Sequence, residues 1–198
     1  MARPNRSAER RLAILDAARG VAVHEGAAGT TLRAIATAAG MEPSGVLYYF
    51  DGLDDLVREL VFAASDRFIE TIRTAVATAV DPAARLVAAI EAGSTGGLAG
   101  DESRILYEFW SYGLRDPALN DADHALDRRQ VEIYRQILDD GTATGVFRPR
   151  LDIDAVAWAL VALEDGLVMD ILAGTKTRDE VVTLIRSVAE SMLDVELG

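Results

Sequence analysis

Apolar residues recur at spacings of three and four along almost the whole chain, and no stretch of useful length alternates apolar with polar. That pattern suits one face of a helix and denies a half-buried strand its period of two. An all-α fold is therefore expected. Gly26 and Gly29, Gly40, Gly52, Asp81-Pro82, a glycine cluster over 93–100, Asp116-Pro117, a 141–149 loop and Gly174 punctuate the pattern. They place helices at roughly 8–25, 32–39, 43–50, 53–79, 82–98, 102–114, 117–140, 153–173 and 178–194, about nine in all.

At 198 residues, half of them hydrophobic and 26% charged, the chain can bury a core in one or two domains. It has no cysteine, which removes disulfides, thiolate zinc sites and cysteine nucleophiles and suits a reducing, cytoplasmic setting. The longest uncharged apolar run of the latter half, Ala155 to Leu163, ends at Glu164 and Asp165, well short of the ~20 residues that span a bilayer. No membrane partner is expected. Near the N-terminus Asp16 and Arg19 interrupt the apolar stretch a secretory signal would need, so no targeting segment is expected either.

The net charge of −12 opposes a polyanionic partner, but its distribution does not. Residues 1–50 hold six arginines (Arg3, Arg6, Arg10, Arg11, Arg19, Arg33) against Glu9, Asp16, Glu25 and Glu42, a balance of +2, which leaves −14 on residues 51–198. A basic end on an acidic body is consistent with a small module that contacts phosphates, and equally with chance composition. Arg3, Arg6 and Arg10 can form a basic arm or simply be solvated.

The last two helices bear on association. Within 153–173, Val156, Leu160, Leu163, Leu167 and Ile171 form one stripe, while Trp158, Ala162 and Met169 make a second. A helix apolar on several sides is buried on several sides. Helix 178–194 adds Val181, Leu184, Ile185, Val188 and Met192. These helices can pack wholly within one subunit or meet their copies in a twofold homodimer, and the dimer is the expectation.

The most specific segment is Thr30 to Phe50, TTLRAIATAAGMEPSGVLYYF. Leu32, Ile35, Ala36 and Ala39 share one side of a two-turn helix that Thr30 or Thr31 can cap. Gly40 then supplies the positive φ for a sharp turn, and Pro43 opens a second short helix at no hydrogen-bond cost. Small Ala36 falls at the crossing, with Ile35, Ala39, Met41, Val46 and Tyr49 as the apolar contacts. This spacing suits a helix-turn-helix whose second helix enters a major groove, and it also suits a helical hairpin inside an unrelated all-α core.

The run from Arg11 to Val61 resembles the N-terminal domain of the tetracycline-repressor (TetR) family of bacterial transcription regulators. The likeness rests on Ile14-Leu15, Ala17-Ala18, Gly26, Thr30-Thr31, Ile35-Ala36, Ala39-Gly40, Tyr49-Phe50 and Asp54-Asp55-Leu56. It implies a three-helix DNA-binding domain over 1–52, and over 53–198 a larger helical domain that binds a small molecule and dimerises through helices 153–173 and 178–194. The family's usual recognition-helix glycine is Ser44 here, its aliphatic pair Gly45-Val46, its common tyrosine Leu47, the lysine opening its fourth helix Leu53, and an aromatic of its first helix Ala22. Residues 115–152 are loosely similar to the C-terminal domain of the choline-repressor-like subgroup, which bears on domain shape and does not assign choline.

Thr30, Thr31 and Arg33 are expected to position the sugar-phosphate backbone. Ser44, Gly45 and Tyr48 are the expected groove-facing residues, with Glu42 and Pro43 at the helix entry; Glu42 can accept from a cytosine amino group or merely lie near the backbone. Tyr48 can alternatively be packed or simply solvated. In the body, Tyr107, Glu108, Trp110, Tyr134, Trp158, Asp165 and Met169 are candidates to line a cavity for an apolar or amphipathic effector, against core filling as the plain alternative. Among Glu108, Glu164 and Asp165, carboxylates amid apolar neighbours, Arg104 is the expected partner of Glu108, and Asp165 the expected pocket residue.

The sequence carries no HExxH, GxSxG, GxGxxG or GxxxxGK motif, and the glycines at 93–97 follow no strand. No enzyme, cofactor or metal is expected. The expected function is a ligand-responsive regulator, acting as a repressor on double-stranded DNA with a palindromic operator; the rival is an all-α small-molecule-binding or interaction protein without DNA binding.

Overall fold

The computed structural model describes residues 6–94 and 98–197, so Arg3 of the basic arm and residues 95–97 of the glycine cluster lie outside the described residues. Among these residues the chain is helical, with no strand: α1 (Arg6–Gly29), α2 (Leu32–Ala38), α3 (Pro43–Val46), α4 (Leu53–Thr78), α5 (Pro82–Gly93), α6 (Leu98–Gly113), α7 (Pro117–Ala143), α8 (Ile153–Leu172) and α9 (Arg178–Leu193). No helix among them is long and apolar enough to cross a membrane.

Helix starts follow the capping chemistry of the sequence. Asp81 accepts from the Ala84 N–H at 2.8 Å with Pro82 behind it, and Thr177 and Glu180 close a reciprocal capping box on α9. Several expected spans change: the fifth helix ends at Gly93 rather than 98, and the sixth begins at Leu98 rather than 102. The third helix stops at Val46 rather than continuing to 50: the Tyr49 N–H folds onto the Val46 carbonyl three residues back, and residues 47–49 form turns. The first helix extends to Gly29 but is broken at Gly26, whose φ of 68° leaves the helical region.

Two compact units emerge. The first holds residues up to Ser65 together with Arg104–Ala122, and the second holds Asp66–Ser103 and Asp123 onward. The first half of α4, the latter part of α6 and the start of α7 thus group with α1 to α3.

In the first unit, Ile14, Ala18 and Ala22 of α1, Ile35 and Ala36 of α2, Val46, Phe50, Leu56, Leu60, Ile105 and Phe109 form a continuous core. Each larger aliphatic side chain fully removed from water contributes roughly 1.5–3 kcal/mol. Ala22 and Leu53, where the family more often has an aromatic and a lysine, are respectively buried and half-buried in this cluster. Asp116 both caps α7 through the Ala118 N–H and pairs with Arg58 at 2.7 Å, and that hydrogen bond first, helped by the cap, holds its carboxyl below the usual range.

The second unit packs Phe68, Ile69 and Ile72 of α4, Leu86 and Ile90 of α5, Tyr134, Ile137 and Leu138 of α7, and the inner faces of α8 and α9. Glu102 is buried and bidentate with Arg67 at 2.9 and 3.0 Å. α8 lies against α9, and α9 against α5.

Candidate nucleic-acid interface and effector unit

The turn between α2 and α3 is fixed by backbone geometry. Gly40 adopts φ 65°, its N–H donates to Thr37 O at 3.1 Å, and the Met41 N–H donates to Ala36 O at 2.9 Å. This is a Schellman termination, which a residue with a Cβ enters only at a cost. It sends the chain into α3, opened by Pro43 at its first turn. Val46 and Phe50 then face the core, at 0% and 2% exposure, while Tyr48 stands out at 80% and Leu47 at 49%. Ser44 is exposed as well.

The other residues expected at DNA divide. Thr31 caps α2 through its hydroxyl, which accepts from the Ala34 N–H at 3.1 Å, and both it and Arg33 are exposed. Thr30 is buried. Its hydroxyl donates to Gly26 O at 2.8 Å and its N–H to Ala27 O at 3.2 Å, so both donors are spent inside the unit. Gly45 faces Met41, 3.6 Å from where a Cβ would sit, rather than outward with Ser44. Glu42 precedes α3 without capping it and is exposed.

One positioning residue escaped the sequence reading. Arg11 appears there only as one charge of a basic end, yet its guanidinium donates to the Tyr49 carbonyl, pairs with Glu59 of α4 and lies 4.1 Å from the centroid of the Phe50 ring. It ties the segment that follows α3 to α1 and α4. Tyr49 in turn meets Tyr48 edge-on at 5.0 Å, which steadies the outward ring.

The candidates for effector contact divide between the two units. Tyr107, Glu108 and Trp110 belong to the first unit, and Tyr134, Trp158, Asp165 and Met169 to the second. Glu108 takes the Ala27 N–H at 2.9 Å instead of Arg104, capping the break at Gly26. Trp110, Trp158 and Met169 are about half exposed, and Asp165 is also on the surface. The buried carboxylate is its neighbour, Glu164. The phenol of Tyr134 and the amide of Gln130 both donate to it, and Gly93 comes so close that a Cβ there would lie 2.6 Å from its Oε1. Burial pushes the Glu164 carboxyl well above its usual range, with the charge of Asp165 adding to the shift and the two hydrogen bonds opposing it. Burial, then the nearby carboxylate, likewise raises the Tyr134 phenol.

A groove of about 720 Å³ opens elsewhere in the second unit, between the ends of α4 and α5 and the middle of α7. Val76, Ala77, Ala125, Ile133 and Ile137 supply apolar surface, and Arg73, Arg85, Arg128, Arg129, Glu132, Gln136 and Asp140 the polar lining. None of the seven residues expected to line a cavity borders it. Its volume is in the range of small-molecule sites.

Comparison with known proteins decides the family. Residues 14–60 match the bacterial regulatory proteins of the tetR family, and residues 82–194 match the BetI-type transcriptional repressor C-terminal family. The chain belongs to the TetR family. Relatives of this TetR-family chain include the HTH-type transcriptional repressor KstR2 of Mycolicibacterium smegmatis, 26% identical over 77% of this chain and 75% of the relative. The HTH-type transcriptional regulator BetI of Paraburkholderia phymatum is 28% identical over 80% and 79%. Among solved structures, a transcriptional regulator from Saccharomonospora viridis in complex with choline superposes with a TM-score of 0.86 at 24% identity, covering 94% of this chain and 98% of that one. A TetR regulator from Haloarcula marismortui gives 0.84 at 23%, covering 94% and 99%. The chain is thus a ligand-responsive, DNA-binding transcriptional regulator, and α2 and α3 lie within its N-terminal helix-turn-helix domain. Its relatives are regulators rather than enzymes.

Proposed function

We propose that the protein is a cytoplasmic homodimeric repressor that grips a palindromic operator with α3 of each copy and lets go when its second unit takes up a small molecule. The observation that carries this reading is the split on either side of Val46: Val46 and Phe50 anchor the segment, while Ser44, Leu47 and Tyr48 offer an unused outward face. Such a face is what base edges in a major groove require. Thr31 and Arg33 flank it for phosphate contacts, and Glu42 and Pro43 sit at its entry. In this reading residues 1–52 carry the DNA contacts and residues 53–198 the effector and dimer contacts.

The dimer is supported by α8. Trp158, Ala162, Asp165 and Met169 follow one another at helical spacing, all exposed, with Ala155 and Gly166 beside them and Leu184 exposed on α9. Apolar and small residues around one carboxylate, exposed on two packed helices, suit a twofold four-helix contact. Choline stays with the neighbour that holds it; for this chain the effector is a small molecule placed in the groove of the second unit, whose volume suits one, and it releases DNA by binding one conformation more tightly than the other.

The test is a gel shift with the DNA flanking the protein's own gene, at several salt concentrations, beside sedimentation of the protein alone. A specific band with two chains per site is expected, and Tyr48→Ala should weaken it at least tenfold, about 1.4 kcal/mol, with an unchanged melting temperature. No specific band at any ionic strength, or a Tyr48→Ala band equal to wild type, refutes the reading.

A further inference from the structure

The second unit is acidic overall, with 11 Lys and Arg against 21 Asp and Glu, yet its groove reverses that sign. Four arginines line it against two carboxylates. Both carboxylates are already occupied: Arg85 pairs with Asp140 at 3.2 Å, and Glu132 is held by Arg135 at 2.6 Å and Gln136 at 2.7 Å. Arg129 is held by Asp66 at 2.8 Å. Arg73 and Arg128 enter no ion pair among the described residues, although Asp127 adjoins Arg128 and feels its charge. The apolar lining is Val76, Ala77 and Ala125, with Ile133 and Ile137 contributing their few exposed atoms from the core.

We infer that this groove binds an amphipathic organic anion, its carboxylate or phosphate head between Arg73 and Arg128 and its aliphatic body along the α7 face of Ala125, Ile133 and Ile137. The guanidinium fork recognises such oxyanions bidentately, and it is weakly enough hydrated to do so beside apolar surface. A cation would meet four arginines, and a neutral oil would leave the two unpaired heads unused. The inference rests on the reading of the second unit as the effector-binding part and narrows the effector to one chemical class.

Dodecanoate below its critical micelle concentration is the probe, titrated into the full-length protein by calorimetry without DNA. Binding is expected for dodecanoate. Dodecyltrimethylammonium, with the same tail and the opposite charge, and inorganic phosphate, a head without a tail, should bind at least tenfold more weakly. Arg73→Glu with Arg128→Glu should lose dodecanoate binding at least tenfold, and Arg73→Lys with Arg128→Lys should recover part of it. Both arginines are exposed and unpaired, so the melting temperatures of these variants should match wild type. Equal affinity for the two tails, phosphate binding as tightly as dodecanoate, unchanged binding by the double glutamate variant, or no heat with dodecanoate would each overturn the inference. Operator binding measured separately distinguishes the two claims: a protein that shifts its operator but ignores dodecanoate keeps the repressor reading and loses this one.

Discussion

Glu164→Gln isolates a buried carboxylate of the second unit that is held by a phenol and an amide. In wild type the buried carboxyl keeps its proton over a range where the unfolded chain would release it, since burial raises its folded pKa above the ordinary value of about 4.5. Unfolding therefore releases a proton as pH climbs past that value. Its stabilising contribution is whole below the unfolded pKa and disappears as pH rises toward the folded one, at a slope of up to about 1.4 kcal/mol per pH unit. A glutamine keeps the shape, and it can accept from one of Tyr134 and Gln130 while donating to the other, but it has no proton to lose. The variant should match wild type, or fall slightly below it, near pH 4. It should then gain on wild type as pH rises, by about 3–6 °C of melting temperature per pH unit while the slope lasts. Calorimetric melts of both proteins from pH 4 to pH 8 read this directly, because carboxylates that do not feel Glu164 are shared and cancel in the difference. Two parallel curves with a constant offset would show that Glu164 does not titrate abnormally, and the argument from its burial would be wrong. Glu164→Ala provides the contrast: with the Tyr134 hydroxyl and the Gln130 amide left without their acceptor, it should destabilise at every pH, by about 1–3 kcal/mol for each orphaned group.

Gly93→Ala would ordinarily favour a helix by up to about 1 kcal/mol, yet here the new Cβ meets the buried Glu164 carboxylate at 2.6–2.8 Å. A loss of about 1–3 kcal/mol in thermal melts is expected, and a gain would show that the packing is open. Arg11→Ala should cost about 1–2 kcal/mol, most of it from the Phe50 ring and the Tyr49 carbonyl because the Glu59 pair is partly exposed. It should also weaken operator binding by loosening the mount of Tyr48, and unaltered DNA affinity in a gel shift would remove Arg11 from that role. Gly26→Ala must place a side chain at φ 68° and 2.9 Å from Glu108, a cost of at least about 1–2 kcal/mol. In a double-mutant cycle Glu108→Ala should relieve part of that cost; strict additivity would mean that the two positions do not touch.

The parts of the site readable from sequence are those fixed by local backbone chemistry. Gly40, Pro43 and the Thr31 cap do what their residue types dictate within a few positions along the chain, and Gly26 breaks its helix as a glycine can. What local chemistry left open has one cause. Asp165 and Glu164 are adjacent on a helix apolar on more than one side, so periodicity alone does not say which of them turns inward. Thr30 and Thr31 present the same ambiguity in miniature: either can cap, and only the fold shows that Thr30 is committed to Gly26. Trp158 and Met169 read as cavity walls because large apolar residues normally seek cover, and the sequence is silent on whether that cover is a ligand, the core or another copy. Arg11 was invisible because its three partners lie 38 to 48 positions away.

The Schellman turn at Gly40 has an evolutionary corollary. Because the aim of the second helix is set by a backbone termination and two inward anchors, positions 44, 47 and 48 can mutate without disturbing the scaffold beneath them. A descendant of this gene could acquire new promoters by changing those three codons alone, and a library randomised there should yield proteins that melt together while sorting onto different DNA sequences.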